Sequence, residues 1–282
     1  MTSASGSKLH TLSVGSAGPR IAFCHGLFGQ GRNWMQIARS LVGPAEDQAR
    51  ALLVDLPDHG RSPWTDHFSF HAYAAAVAST LRAAGPGERW TLVGHSLGGM
   101  VAMLVALSQP DLVERLAVVD IAPRVYDSHG WVLDYVDALR DLPLAQLADR
   151  AAADAALAAT IPEPSVRAFL LQNLRRGRDH SWHWQANLAV LSRTQPDGHG
   201  GVGDWPSGDA TAYHPFRGPV AWVAGGLSPY IRDEDTAAMR ELFPRVRQVT
   251  VKGAGHWVHA DAPDVVVEVL RRLLHGRRPG VH

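Results

Sequence analysis

The residues able to do chemistry in this 282-residue chain fall in a few short stretches. GHSLGG, Gly94 to Gly99, follows the apolar run WTLV and opens an apolar helical pattern. A serine in G-x-S-x-G between a strand and a helix stands on a turn tight enough to strain its backbone and present its hydroxyl. Gly94 and Gly98 suit that turn because a Cβ at either position would meet neighbouring chain. Ser96 is therefore a candidate nucleophile, and the Leu97 N–H at the helix start can face a developing oxyanion. HGLFG, His25 to Gly29, closes an earlier apolar run and offers the Leu27 N–H as a second donor. The base must be a histidine. His256, in VTVKGAGHWVH, lies in a Gly-rich loop after a strand and before the last helix, at the carboxyl edge of a parallel sheet. His259, three residues on, is the less suitable choice.

A histidine in that role needs a carboxylate to accept its other N–H, fix its tautomer and stabilise the imidazolium. The Gly-rich turn in VAGGLSPYI, Val223 to Ile231, carries Ser228 and no acid. Asp120, in LAVVDIAP, closes the strand after the Ser96 helix, and a charge ending an apolar strand needs a partner. It is favoured over Asp233 and Asp235, which read as an exposed helix start, where carboxylates are ordinary. Ser228 can hydrogen-bond Asp120 or His256 as a supporting fourth member. Asp55, in DLPDHGRS, also ends a strand, and reads as the organiser of its own loop with Arg61 and Ser62.

The elements that must position these groups alternate. IAFCHG, ALLVDLP, WTLVGHS and LAVVDIAP are short apolar runs ending in turn chemistry, with helical patterns between them. Gly85 and Pro110 stop two of those helices. The pattern predicts an α/β fold, a mostly parallel sheet with helices on both faces. It resumes at GPVAWVAGG and continues through a helix near Asp233–Leu242, a strand in RVRQVTVKG and a last helix from Pro263 to Leu274. From Arg124 to His214 the alternation breaks. WVLDYVDALRDL, LAQLADRAAADAALAA, VRAFLLQNLRR and HWQANLAVL are helical without a convincing strand, and TQPDGHGGVGDWPSGD reads as a connector. The expected organisation is a discontinuous core, 1–123 and 215–282, with a helical cap at 124–214 inserted between two strands.

Composition narrows the function classes. An apolar share of 46% supports a sizeable core, and Lys+Arg and Asp+Glu balance at 27 each. No basic surplus points to nucleic acid or an anionic membrane. MTSASGSKLH has no apolar signal core, and no run approaches the roughly 18 residues of a span. The single cysteine, Cys24, excludes an internal disulfide and reads as a core thiol in a cytoplasmic protein. His67, His71, His129, His180, His183 and His199 read as surface residues. His180 and His183 lack the carboxylate or thiolate cluster a metal needs, so neither metal nor cofactor is expected. Phe28, Trp34, Trp182 and Trp184 are candidates for an apolar substrate pocket, Phe28 and Trp184 foremost. A small-molecule substrate is the expected partner, with monomer and dimer both open.

HGLFG, DLPDHGRS, GHSLGG, VVDIAP, GGLSPYI and GAGHWVHADAP occur in that order. With them the chain resembles the α/β-hydrolases over nearly its whole length, and within them the YbfF-type esterases. The resemblance implies an α/β-hydrolase fold, with the acid in the DIAP segment and a serine in the later turn. Carried over, that is Ser96, Asp120 and His256, with Ser228 assisting and Leu27 and Leu97 as oxyanion donors. It implies hydrolysis of short-to-medium acyl esters, extending to acyl-CoA thioesters in some members, without a cofactor. The insertion departs most, matching only in parts of HWQANLAVL. C–C bond hydrolases, lyases and non-catalytic receptors share the scaffold. Dehalogenases and epoxide hydrolases want Asp where this chain has Ser96.

Overall fold

In the computed structural model, residues 8–42, 49–126, 129–192, 205–206 and 213–275 are described, and the apolar runs become strands. In chain order these are β1 (Thr11–Val14), β2 (Arg20–Cys24), β3 (Arg50–Val54), β4 (Trp90–His95), β5 (Val113–Val119), β6 (Leu174–Arg176), β7 (Trp182–Trp184), β8 (Val220–Gly225) and β9 (Val246–Val251). Seven of them form one sheet in the order β1-β3-β2-β4-β5-β8-β9, with only β1 antiparallel to its neighbour. Parallel strands covered on both faces bury every side chain. β4 and β8 do so along their whole length.

The helices are α1 (Met35–Leu41), α2 (Phe70–Ala84), α3 (Leu97–Ser108), α4 (His129–Arg140), α5 (Arg150–Leu157), α6 (Pro164–Leu171), α7 (Leu188–Leu191), α8 (Asp235–Leu242), α9 (Val258–Asp261) and α10 (Pro263–His275). On one face, Trp34, Ile37 and Leu41 around α1 and Val266 and Leu270 of α10 pack on Ile21, Phe23, Leu53 and Val93. On the other, Tyr73 and Val77 of α2 and Met100 and Leu104 of α3 pack on Leu92, Leu116 and Val118. α3 is buried on all sides, as its apolar sequence requires. α2 starts where the Ser69 hydroxyl accepts the Ala72 N–H (3.3 Å).

Between β5 and β8 the chain leaves the sheet through α4 to α7, then re-enters beside the strand it left, pairing Leu116 with Val220 and Val119 with Val223. Its Leu139, Leu157, Leu170 and Leu188 share the α2–α3 core. The all-helical expectation for this interval is corrected: β6 and β7 form an antiparallel hairpin, Leu174 opposite Trp184 and Arg176 opposite Trp182. Strands of three residues carry too little alternation to stand out against helical flanks. Of the expected connector only Trp205 and Pro206 are among the described residues. His199 and the His129 side chain are not. No helix among the described residues is long and apolar enough to cross a membrane.

Candidate active site

β4 and β5 run parallel with His95 beside Val119, so the next residues, Ser96 and Asp120, leave adjacent strand ends together. The Ser96 N–H donates to Val119 O (3.0 Å) and the Asp120 N–H to Val223 O (2.8 Å). Both residues then adopt left-handed backbone, each at φ 51. Such conformations cost non-glycine residues about 1–3 kcal/mol and persist only where surroundings enforce them. Here the enforcement is crowding. A Cβ on Gly94 would lie 2.1 Å from Gly98 O, and one on Gly98 2.4 Å from His25 O. Gly94 is thus required by the first turn of α3 folding back on the β4 end, and Gly98 by the close approach of the β2 end to that turn.

Asp120 is fully buried. Its Oδ1 accepts the Gly225 N–H (2.8 Å), and its Oδ2 faces His256 Nδ1 (2.8 Å) and accepts the Ser228 hydroxyl. Three such donors satisfy the hydrogen-bonding capacity of this buried carboxylate. Asp233 is exposed. Asp235 is buried, contrary to the exposed helix start expected, because Arg124 pairs with it (3.2 Å) and the Arg232 N–H caps it (2.7 Å).

His256 is held on several sides. Its carbonyl accepts the His95 Nε2 proton (2.9 Å), and the Tyr230 ring stacks on its imidazole at 3.9 Å and 20°. Tyr230 is braced in turn: its carbonyl accepts the Tyr126 hydroxyl (2.8 Å), which itself accepts the Ala122 N–H (2.7 Å). Arg124 lies over the Tyr126 ring at 3.9 Å. With Nδ1 on Asp120, Nε2 is the ring nitrogen left for a substrate-side proton. The Ser96 hydroxyl makes no hydrogen bond among the described residues. Contacts of that kind tighten when substrate binds.

The remaining histidines here are neutral spacers. Burial, then neighbouring His59, pushes His25 down to about 3. Its tautomer follows: Nε2 accepts the Leu56 N–H (3.0 Å), so Nδ1 donates to Gly26 O (2.8 Å). Burial and then His259 hold His95 well below its usual range. His259 is pushed down to about 4 by burial and then by His256, and stacks on Trp34 at 4.5 Å. Burial raises the Cys24 thiol to about 12, in keeping with a core thiol.

The Leu27 loop is held by residues of the excursion between β5 and β8. Phe28 sits at φ 60, and its carbonyl accepts Asn173 Nδ2 (2.7 Å) and Gln172 Nε2 (3.3 Å). Gln30 Nε2 donates to Asn173 Oδ1 (3.0 Å), and Asn33 Nδ2 to Gln172 Oε1 (2.9 Å). Asn173 is buried, so these amides act as a fixed clamp. Leu97 is the first residue of α3, where an N–H has no intrahelical acceptor. Phe28 is buried in the α2–α3 core, and Trp184 is half-buried beside it. Trp182 donates its indole N–H to Leu147 O (2.8 Å). Trp34 is fully buried in the core of the opposite face, which removes it from the candidate pocket.

The structure therefore brings Asp120, His256 and Ser228 into contact and seats Ser96 on the adjacent strand end. Tyr126, Tyr230, Gln172 and Asn173 were missed by sequence reasoning; their contacts span more than a hundred residues and leave no local pattern. A cavity of about 1060 Å³ between β9 and α10, walled by Val246, Val249 and Val269, includes none of these residues.

A model of the α/β-hydrolase fold family matches residues 19–263. The chain belongs to the α/β-hydrolase family. This α/β-hydrolase is 37% identical over 248 residues to the sn-1-specific diacylglycerol lipase ABHD11 of Xenopus laevis, covering 86% of this chain and 76% of that protein. It is 31% identical over 257 residues to Esterase YbfF of Escherichia coli K12, covering 90% and 92%. Among solved structures, a marine microorganism esterase superposes with a TM-score of 0.86 at 30% identity, covering 95% of this chain and 99% of its own. The expected fold and the resemblance to YbfF-type esterases are borne out, and the relatives' names support the expected carboxylic ester hydrolase activity.

Proposed function

We propose that this α/β-hydrolase cleaves carboxylic esters through an acyl-enzyme on Ser96. The observation that carries the reading is the buried Asp120 bonded to His256 Nδ1 beside a serine held at φ 51. His256 Nε2 takes the Ser96 proton as Oγ attacks the ester carbonyl carbon. The oxyanion is received by the Leu27 and Leu97 N–H groups. Asp120 stabilises the imidazolium, and Gly225 and Ser228 keep its other lone pairs occupied, so that it stays aimed at Nδ1. The tetrahedral intermediate expels the alcohol, which leaves with the proton from His256. Water, deprotonated by His256, then attacks the acyl carbonyl and frees Ser96.

In this reading the acid has moved from the turn after β8 to the end of β5, and Ser228 marks the vacated place. The excursion of residues 124–214 is a cap over Ser96, and Phe28 and Trp184 contribute apolar surface to the acyl or alcohol pocket. The protein acts in the cytoplasm on short-to-medium acyl esters, with acyl thioesters as a variant. The test is a panel of p-nitrophenyl esters of graded chain length, an acyl-CoA and a diacylglycerol, the last because relatives are named diacylglycerol lipases. Wild type releases product from at least one and Ser96→Ala from none. The absence of Ser96-dependent release from every member overturns the proposal.

A further inference from the structure

A second cavity, of about 460 Å³, opens at the same sheet edge on the β1–β3 side, roofed by the β6–β7 hairpin. Arg32, Arg61, Arg175 and Arg176 line it, together with His10 and His183. The acid on its wall, Asp55, is already engaged: it accepts the Gly31 N–H (2.7 Å) and the Arg61 N–H (2.9 Å) and meets His10 Nδ1 (3.0 Å). None of the four guanidiniums forms an ion pair with a carboxylate among the described residues. Arg175 instead donates to Gln185 Oε1 (2.8 Å), and Arg176 to His180 O (3.2 Å).

A chain with equal numbers of acidic and basic residues has no composition-driven reason to gather four arginines around one acid. The gathering is costly. Burial, then the charges of Arg32, Arg150 and Arg61, hold the Arg175 guanidinium below its usual range. Like charges converging on a concavity are relieved by an anion. Guanidinium forks match phosphate oxygens two at a time, and a phosphate monoester carries about −1.5 to −2 charge near neutral pH. The volume lies within the roughly 300–1,000 Å³ of small-ligand sites. Two of the arginines come from the core loops and two from the hairpin, so one bound group would bridge both.

We propose that this cavity binds the phosphate group of a phosphorylated ligand. Gln30 connects it to the reaction site, because it lines the cavity and also holds Asn173, which fixes the Phe28 carbonyl beside Leu27. The binding itself is independent of the ester-hydrolase reading.

Calorimetric titration of the full chain with inorganic pyrophosphate, at constant ionic strength against a sodium chloride control, tests the site. Wild type and Ser96→Ala bind alike, and Arg61→Gln/Arg176→Gln binds about tenfold or more weakly. Should the double variant fail to fold, as judged by its thermal melt, Arg176→Lys takes its place, keeping charge but losing the fork, and also weakens binding. Absence of binding to wild type, or equal binding by a folded variant, overturns the proposal. The source of the phosphate is read from a 1-acylglycerol against the same ester carrying a 3-phosphate. If the phosphate belongs to the substrate, the phosphorylated ester has the lower KM and the double variant erases that preference alone. If it belongs to a separate ligand, KM is the same for both esters and pyrophosphate alters turnover of the unphosphorylated one. Failure of hydrolysis with retained pyrophosphate binding sinks the esterase reading and leaves the site standing.

Discussion

Two aspartates of this molecule receive nearly the same partners. Asp55 follows β3 and takes the Gly31 N–H on Oδ1, with the Arg61 N–H and His10 Nδ1 on Oδ2. Asp120 follows β5 and takes the Gly225 N–H on Oδ1, with His256 Nδ1 and the Ser228 hydroxyl on Oδ2. A strand-end carboxylate bonded to a histidine is therefore not in itself a sign of catalysis. The difference lies in what stands next to each. Asp120 emerges in left-handed backbone beside the strained turn of Ser96. Asp55 gathers its own loop, so closely that a Cβ on Gly60 would lie 2.3 Å from its Oδ2. In the proposed reading one pair organises a reaction, whereas the other organises a turn.

Exchanging each carboxylate for its amide is the sharpest way to break that contrast. Asp120→Asn is expected to lower kcat by about 10⁴, because the histidine loses its tautomer and its counter-charge. Asp55→Asn is expected to lose about 1–3 kcal/mol of stability with kcat of the folded enzyme within a few-fold, since a loop donor loses its charged acceptor. Steady-state rates and denaturant melts on both variants check this. The reverse pattern, activity lost with Asp55 and kept without Asp120, would undo the comparison.

Acid should act on two of the buried histidines at once. His25, which feels the Asp55 charge, and His259, packed against His95 and Trp34, have folded pKa values depressed from 6.5 to about 3 and about 4. Below pH 6.5 the unfolded chain takes up protons that the folded chain refuses. Stability is thus full above that pH and is lost as pH falls toward 4, by up to about 1.4 kcal/mol per unit for each group. Urea midpoints between pH 8 and 4.5 read this out, and a flat profile from 6.5 to 5 contradicts it.

The clamp on the Leu27 loop sharpens the comparison further. Asn173→Ala should lower kcat about 10- to 100-fold with KM little changed, because a misplaced oxyanion donor is felt in the transition state. A merely structural role would lower the melting temperature and leave kcat of the folded fraction intact. Ser228→Ala is expected to have the smallest effect, about tenfold on kcat, since Asp120 keeps Gly225 and His256. A loss as large as that of Asp120→Asn would mean that Ser228 does more than hold the acid.

What could be read from the sequence was local. Strand ends singled out Ser96, Asp120 and His256 as candidates, and Asp55 could be assigned to its loop because Arg61 and Ser62 are close in sequence. The hairpin was illegible because each of its strands has three residues. Asp235 looked exposed because its partner, Arg124, lies beyond the whole insertion. Trp34 looked like pocket surface because periodicity does not say which face of the sheet a helix will cover. The Asn173 clamp depends on a contact 145 residues apart, between a loop and a segment whose own pattern says only helix.

The first residues after Asp120 have a mechanical consequence. Arg124 is tied to Asp235, and Tyr126 to the Tyr230 carbonyl, so the foot of the long excursion is riveted to the turn after β8. The same turn carries Ser228 and the ring that stacks on His256. Any pivot of the excursion therefore lies beyond Tyr126, and torque on it is grounded in the sheet before it reaches the acid. The foot of the excursion is thus anchored beside the proposed acid and base.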